Sequence, residues 1–238
     1  MSETVEYRGY KINIHQDEWN NENPREWCNL GTLALNNNFW AEENISSTDE
    51  LYENLLEHEE IRPWIAQDQD YCGYSIDHDK AQKNLEKKYI LLPVYRYEHG
   101  NVCYNTSGFS CPWDSGMNGF IYVSKEKVRE EYGIKNISPA WVQKIKGYLE
   151  NEVKTFSDAA SGEVYGYHIE NHEGEQLDSC YGFYGYDHEK SELLPQAKNA
   201  IDHEINGYKK YNVQHLKEMI INHVPLNSRV GELITIPA

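Results

Sequence analysis

Alternation opens the chain. Between residues 5 and 15, Tyr10, Ile12 and Ile14 fall on one side and Lys11, Asn13 and His15 on the other, which predicts a half-buried strand. Residues 16–29 are polar, contain Pro24 and read as a loop; Leu30–Leu35 predicts a second strand. The period then changes. Ser47-Thr48-Asp49-Glu50 is a capping box, in which the serine hydroxyl accepts from an amide one turn on while the glutamate reaches back. It predicts a helix to about Ile61, ahead of Pro63, with Leu51, Leu55 and Leu56 on a narrow apolar face and Glu53 and Glu57 sharing another.

Tyr89–Tyr97 and Val102–Phe109 flank Glu98-His99-Gly100-Asn101, turn chemistry that predicts a hairpin. Gly119–Val123 predicts a further strand, and Ser124 caps a short helix that stops at Gly133. Ser138-Pro139 supplies a cap and a first-turn proline. Behind it, Trp141, Val142, Ile145, Tyr148, Leu149 and Glu152–Val153 recur at helical spacing as a buried stripe expected to face a sheet. Glu163–Glu170 and Gln176–Tyr186 flank Asn171-His172-Glu173-Gly174 as a second hairpin. Ala197, Ile201, Ile205 and Tyr208 mark a helix ending near Gly207. Asn212 then caps a last helix through Val213, Leu216, Ile220 and Val224, and Val230–Ile236 predicts a final strand. Hairpins separated by helices, without strand–helix–strand alternation, predict an α+β fold: a mainly antiparallel sheet built from hairpins and packed by three to four helices. No repeat or linker divides the chain, so one domain over residues 1–238 is expected, with an acidic insertion or subdomain at about 41–79.

Charge changes the picture. The 238 residues carry a formal net charge of −17, and residues 1–88 hold 19 acids against 8 bases. Within them, residues 41–79 hold twelve acids and one base, Arg62. Counterion release needs cations on the protein, so direct nucleic-acid binding is not expected, nor is attraction to anionic lipid. No apolar run reaches the roughly 18 residues of a membrane span, and the first ten residues lack a basic patch followed by an apolar run, so neither a span nor a secretory signal is expected. A run of like charge is ordinarily a solvated face; the sharper alternative is a surface that offers phosphate-like charge to a basic partner.

The most distinctive stretch is Cys111-Pro112-Trp113-Asp114-Ser115-Gly116-Met117-Asn118-Gly119-Phe120-Ile121-Tyr122-Val123. Its glycines permit positive φ, and Asp114 and Ser115 can close a local turn. An ordered loop is expected, with Trp113 buried and Gly116 or Gly119 at positive φ. The alternative is a pocket wall in which Asp114 and Ser115 touch a ligand or partner. The flanks lack the G-x-S-x-G elbow, which argues against a nucleophilic Ser115. The segment resembles one found in an uncharacterised family of bacteriophage, prophage and mobile-element proteins, Pro-Trp-Asp-Ser-Gly-x-x-Gly-Phe-Ile-Tyr-Val. The resemblance extends to the N-terminal Tyr-x-Gly-Tyr strand, Trp27…Asn29-Leu30-Gly31-Thr32, the Lys125–Gly133 helix, Val164-Tyr165-Gly166-Tyr167 and Asp178–Gly185. It spans most of residues 5–186, least clearly the acidic stretch. It implies a mobile-element protein acting in the cytoplasm of a bacterial host, and it implies no catalytic residue.

The remaining chemistry is sparse. Cys28, Cys72, Cys103, Cys111 and Cys180 are odd in number and irregularly spaced, with no C-x-x-C. Buried, inert thiols in a reducing cytosol are expected, without disulfides. Cys28 and Cys111 would be nucleophiles only beside a histidine. The local His and carboxylate clusters are Asp77-His78-Asp79, His168 with His172, and Asp187-His188; none has ligand spacing, so no metal and no cofactor is expected. Nineteen tyrosines and six tryptophans exceed the needs of the core. Tyr165, Tyr167, Tyr181, Tyr184 and Tyr186 crowd one hairpin, which fits either a sheet of tyrosine cross-strand pairs or a stacking and interaction surface.

Three functions follow. The first is a non-enzymatic inhibitor that binds and antagonises a bacterial defence component, a CRISPR or restriction nuclease. It would engage the basic surface of that host protein through Glu53, Glu57, Glu60, Asp68 and Asp70. The second is a binder or sponge of a small nucleotide signal, in a pocket drawn from Trp113, Asp114, Ser115, Tyr165, Tyr167 and Tyr181, with Arg96, Lys125, Lys127 and Arg129 as candidate bases. The third is a hydrolase using Asp114, a histidine and a metal.

Overall fold

Arg8 and Gly9, at φ 50° and 79°, turn the N-terminal alternation back on itself. The single strand expected over residues 5–15 is therefore a hairpin. A left-handed two-residue turn matches the twist of the strands it joins. The computed structural model describes residues 3–56, 65–67 and 74–235. In chain order the first elements are β1 (Glu3–Tyr7), β2 (Tyr10–Gln16), β3 (Thr32–Asn36), β4 (Glu43–Ile45), α1 (Thr48–Leu55), β5 (Ile65–Gln67), β6 (Tyr74–Ile76) and α2 (His78–Lys88). They are followed by β7 (Tyr89–His99), β8 (Asn101–Asn105), β9 (Ser115–Ser124), α3 (Lys125–Tyr132), α4 (Pro139–Ala160), β10 (Val164–Glu170), β11 (Gln176–Tyr184), α5 (Leu193–Ile221) and α6 (Leu226–Arg229). The fold is α+β, with mostly antiparallel sheets.

Where the sequence reading expected one domain, the residues group into two compact units. The boundaries fall after Asn20 and after Ser161, so one unit is discontinuous.

The discontinuous unit joins both ends of the chain. Its sheet runs β1-β2-β10-β11, antiparallel throughout. Tyr10, Ile12 and Ile14 of β2 and Tyr167 and Ile169 of β10 share its inner face, which packs on Leu193, Ala197, Ile201 and Ile205 of α5. Ala197, Ile201 and Ile205 follow helical spacing, as their pattern predicts, with Leu193 joining them; Tyr208, the fourth residue of that pattern, is only half-buried. The helix does not stop at Gly207: it continues to Ile221. Asn212 caps no new helix. Its side chain brackets the backbone of Ile234, donating to the carbonyl at 2.8 Å and accepting from the amide at 2.9 Å. Residues Val230–Glu232 form a 3₁₀ turn where a strand is expected.

The continuous unit is a five-stranded sheet, β4-β3-β9-β7-β8, antiparallel except for the β3/β4 pair. One face packs Ile145, Leu149, Val153 and Phe156 of α4 against Leu33, Leu35, Ile121 and Val123, with Trp141 partly buried at the margin. The expected stripe therefore faces the sheet, except that Tyr148 turns outward and is exposed. The other face carries Leu51 and Tyr52 of α1 and Ala81 and Leu85 of α2, over Ala34, Phe120 and Tyr122. α1 ends at Leu55, and the expected continuation to Ile61 lies outside the described residues. The capping box closes one residue early: Ser47 accepts from the Glu50 amide at 3.2 Å, and Glu50 returns to the Ser46 amide at 2.7 Å. Ser124 and Gly133 bound α3 as predicted, with Gly133 left-handed at φ 62°. Among the described residues no helix is long and apolar enough to cross a membrane.

Candidate functional site

The loop before β9 is tied down by its polar side chains. Asn105 accepts from the amides of Ser107 and Gly108 at 3.2 and 2.7 Å and donates to the Gly108 carbonyl at 3.0 Å. The Ser115 hydroxyl donates to the Cys111 carbonyl, and the Glu98 amide to the Asp114 carbonyl at 3.0 Å. These bonds hold the turn without the indole, and Trp113 is 92% exposed. The expectation that Trp113 is buried is corrected for that reason. The glycine expectation holds at one position: Gly119 has φ 153°, and a Cβ there would stand 2.0 Å from the Ala34 carbonyl oxygen. The β7–β9 register slips beside it, so that Val94 faces Gly119 and Tyr95 faces Met117.

Trp113, Asp114 and Ser115 wall an open groove of about 360 Å3 with Arg96, Glu98 and Asn118. Arg96 is paired with Glu98 at 2.7 Å. Asp114 Oδ2 accepts from the Cys111 thiol at 3.4 Å and lies 3.4 Å from His99 Nδ1. A histidine thus approaches the motif, yet its neighbour is the carboxylate. Ser115 gives its proton to a backbone carbonyl and Cys111 gives its proton to the Asp114 carboxylate, so neither donates directly to the imidazole, and the groove presents an exposed indole ringed by polar groups.

The tyrosines divide between core and surface, in the other unit. Tyr167 is fully buried and its hydroxyl is pushed up to about 12, by burial first and then by the Asp178 charge. Tyr165 is half-buried on the same face. Tyr181 stands on the opposite face, exposed, its ring lying where a side chain at Gly166 would be. There His15 Nε2 meets the Tyr181 hydroxyl at 3.1 Å, and the His15 and His168 rings are 5.4 Å apart. Asn13 Nδ2 lies 3.0 Å from His168 Nε2. The six residues drawn into one pocket by the sequence reading thus belong to two units, three in each, and the three tyrosines do not share a face.

Of the acidic candidates, Glu53 is exposed on α1, while Glu57, Glu60, Asp68 and Asp70 lie outside the described residues. Several other acids of this stretch serve the fold. Glu42 binds Arg25, Glu43 accepts from the Tyr122 hydroxyl at 2.7 Å, Asp49 lies 2.6 Å from His78 Nε2, and Asp77 caps α2 and pairs with Lys80. Burial and the Glu43 carboxylate raise the Tyr122 hydroxyl far above its ordinary range. None of the four described cysteines is buried, and Cys28 is exposed, against the expectation of core thiols. Packing claims the larger apolar side chains; Cys28 and Cys111 lie in loops, and Cys103 and Cys180 on the edge strands β8 and β11. Cys72 lies outside the described residues. Among the described residues no three His, Cys, Asp or Glu side chains converge on a metal-sized site.

One concavity went unread in the sequence. A cleft of about 610 Å3 opens between the 24–30 loop, α3 and α4 of the continuous unit, with Trp27, Tyr132 and Tyr148 among its walls. That is within the roughly 300–1,000 Å3 typical of ligand sites. Pro24–Glu26 forms a 3₁₀ turn capped by Asn23, and Arg25 reaches inward to Glu42, Glu152 and the Gly31 carbonyl. Lys127, one of the four candidate bases, lines the cleft, but its ammonium is spent on the carbonyls of Asn29 and Leu30 at 3.2 and 2.8 Å. Lys125 likewise donates to the Glu86 carbonyl. Trp27, Tyr132 and Tyr148 come from three separate stretches of the sequence; only a fold that brings α3 beside α4 assembles them.

Against protein-family models, curated proteins and solved structures alike, the chain finds no match.

Proposed function

We propose that the protein is a non-enzymatic binding protein that seizes a protein partner by its exposed aromatic side chains. The observation that carries this reading is the placement of the indoles. None of the five described tryptophans is buried, and Trp113 is 92% and Trp19 88% exposed; Phe39, at 88%, joins them. A folded chain gains by hiding such rings, and tryptophan is the residue most enriched among interface anchors. The net charge of −17 selects a partner with a basic surface and disfavours nucleic acid. In the setting implied by the resemblance to mobile-element proteins, the partner is a bacterial defence component, such as a nuclease whose nucleic-acid channel is basic, and the site of action is the host cytoplasm.

The test is capture from a bacterial host lysate by wild type, Trp113→Ala and Phe39→Ala, with identification of bound proteins and nucleic acids. A single protein retained by wild type, weakened by salt and lost with Trp113→Ala supports the reading. Equal capture by all three chains, or tight binding of purified wild type to DNA or RNA, overturns it.

A further inference from the structure

The cleft beside Trp27 has walls suited to one kind of guest. Tyr132 and Tyr148 lie nearly parallel, with planes 6° apart and centroids 6.3 Å apart. These rings already attract a cation: Lys144 Nζ stands 5.8 Å from the Tyr132 centroid, 5.7 Å from that of Tyr148 and 4.7 Å from that of Trp141. Lys144 is not among the residues that line the cleft, so the cleft side of the aromatic wall is left to another cation. The charge within agrees. Glu152 is committed to Arg25 and to the amides of Leu30 and Gly31, and Lys127 to two carbonyls. Glu131 is exposed at the rim and makes no ion pair among the described residues. The Tyr132 hydroxyl registers the resulting field: burial first, then the charges of Tyr148, Glu131 and Glu152, hold it above its ordinary range.

We infer that the cleft between the 24–30 loop, α3 and α4 is a receptor for an arginine side chain of a protein partner. The guanidinium stacks on Tyr148 and Trp27 and pairs with Glu131. A guanidinium fits better than an ammonium because it is planar, weakly hydrated and able to offer two parallel donors to one carboxylate while lying on a ring. A nucleotide fits worse. Its phosphates would meet Glu131 and Glu152, and the one lysine present is already engaged. The volume exceeds one side chain and leaves room for the residues that flank the arginine. The loop is held by a buried ion pair before any guest arrives, so little ordering is left to be done on binding. The inference rests on the protein-binding reading for the source of the arginine, and on the cleft alone for its chemistry.

The full chain, titrated by NMR with Nα-acetyl-arginine amide and observed at the Trp27 indole, tests it. Saturable shifts are expected at millimolar concentration, with the uncharged citrulline analogue at least about fivefold weaker, as the loss of one cation–π contact implies. Glu131→Gln, an exposed change, is expected to weaken arginine binding about threefold or more. Tyr148→Ala is expected to abolish it and Tyr148→Phe to retain it. Should Tyr148→Ala fail to fold, Glu131→Gln and the citrulline comparison decide. Absence of saturable shifts, equal binding of citrulline, or binding of adenosine monophosphate in place of arginine overturns the inference. None of these depends on Trp113, so a failure here leaves partner capture standing, and a failure of capture leaves the arginine titration standing.

Discussion

Arg25 Nη1 lies 3.0 Å from Glu152 Oε2, joining the 24–30 loop to the middle of α4 across 127 positions of sequence. The Arg25 side chain is 2% exposed, and its guanidinium also holds Glu42 and the Gly31 carbonyl. Glu152 in turn accepts from the amides of Leu30 and Gly31. One buried cation thus holds the entry to β3 and fixes Glu152, a lining residue of the cleft.

Removing one partner from such a group strands the others. Arg25→Ala is expected to lower the free energy of unfolding by about 1.5–3 kcal/mol, because the half-buried Glu152 would lose its cation and the Gly31 carbonyl its donor, while Glu42, more exposed, turns to water. Urea denaturation measures it. A loss below about 1 kcal/mol would mean that water replaces the guanidinium and that the lock is dispensable.

Two glycines separate backbone demand from mere presence. Gly119→Ala is expected to destabilise by more than about 2 kcal/mol, since the new methyl meets the Ala34 carbonyl at a φ that side chains avoid. Gly207→Ala is expected to stabilise by about 0.5–1 kcal/mol, because the residue lies inside a continuous helix with open space around it. A destabilising Gly207→Ala would show that α5 breaks where the sequence pattern suggested.

Trp113→Ala should leave the melting midpoint nearly unchanged, because the indole gives up little buried area, while it weakens partner capture. A large loss of stability would place the indole in the core and remove the basis of the binding reading.

Reversing Glu53, Glu57 and Glu60 to lysine should slow association with a basic partner by about tenfold at low salt and much less at high salt, with the fold intact. Stopped-flow or surface-based kinetics at two ionic strengths reads it. An unchanged low-salt rate would remove the acidic segment from the encounter.

Alkali should act through buried phenols. Tyr52 and Tyr167 are pushed up to about 12, chiefly by burial, against 10.0 when free. The unfolded chain loses these protons first, so stability is full below pH 10 and falls as the pH rises from about 10 towards 12. Tyr167→Phe should make that fall shallower, as followed by denaturant midpoints at stepped pH. An identical slope would mean that Tyr167 ionises as freely in the folded chain as in the unfolded one.

Local signals in this chain read well where one turn or one face suffices. Ser124 and Gly133 bound α3, Ser138-Pro139 starts α4, and Ile145, Leu149, Ile201 and Ile205 face sheets, because caps and periodicity act over a few residues. Gly207 misled for the same reason: a local helix weakness of about 1 kcal/mol is small beside a 29-residue helix anchored through Leu193, Ala197, Ile201 and Ile205. Trp113 misled because size and apolarity say what a ring prefers, whereas the polar bonds of Asn105 and Ser115 decided where the loop could go. The amino-acid sequence by itself determined the fold class, the caps and the excess of charge and aromatic rings. Only the tertiary structure decided that Arg25 and Glu152 share a buried bond, that Trp27, Tyr132 and Tyr148 wall one cleft, and that Tyr167 and Tyr181 part to opposite faces. Such groupings depend on contacts between residues distant in sequence, and a side chain's identity carries no record of which remote neighbour will complete its site.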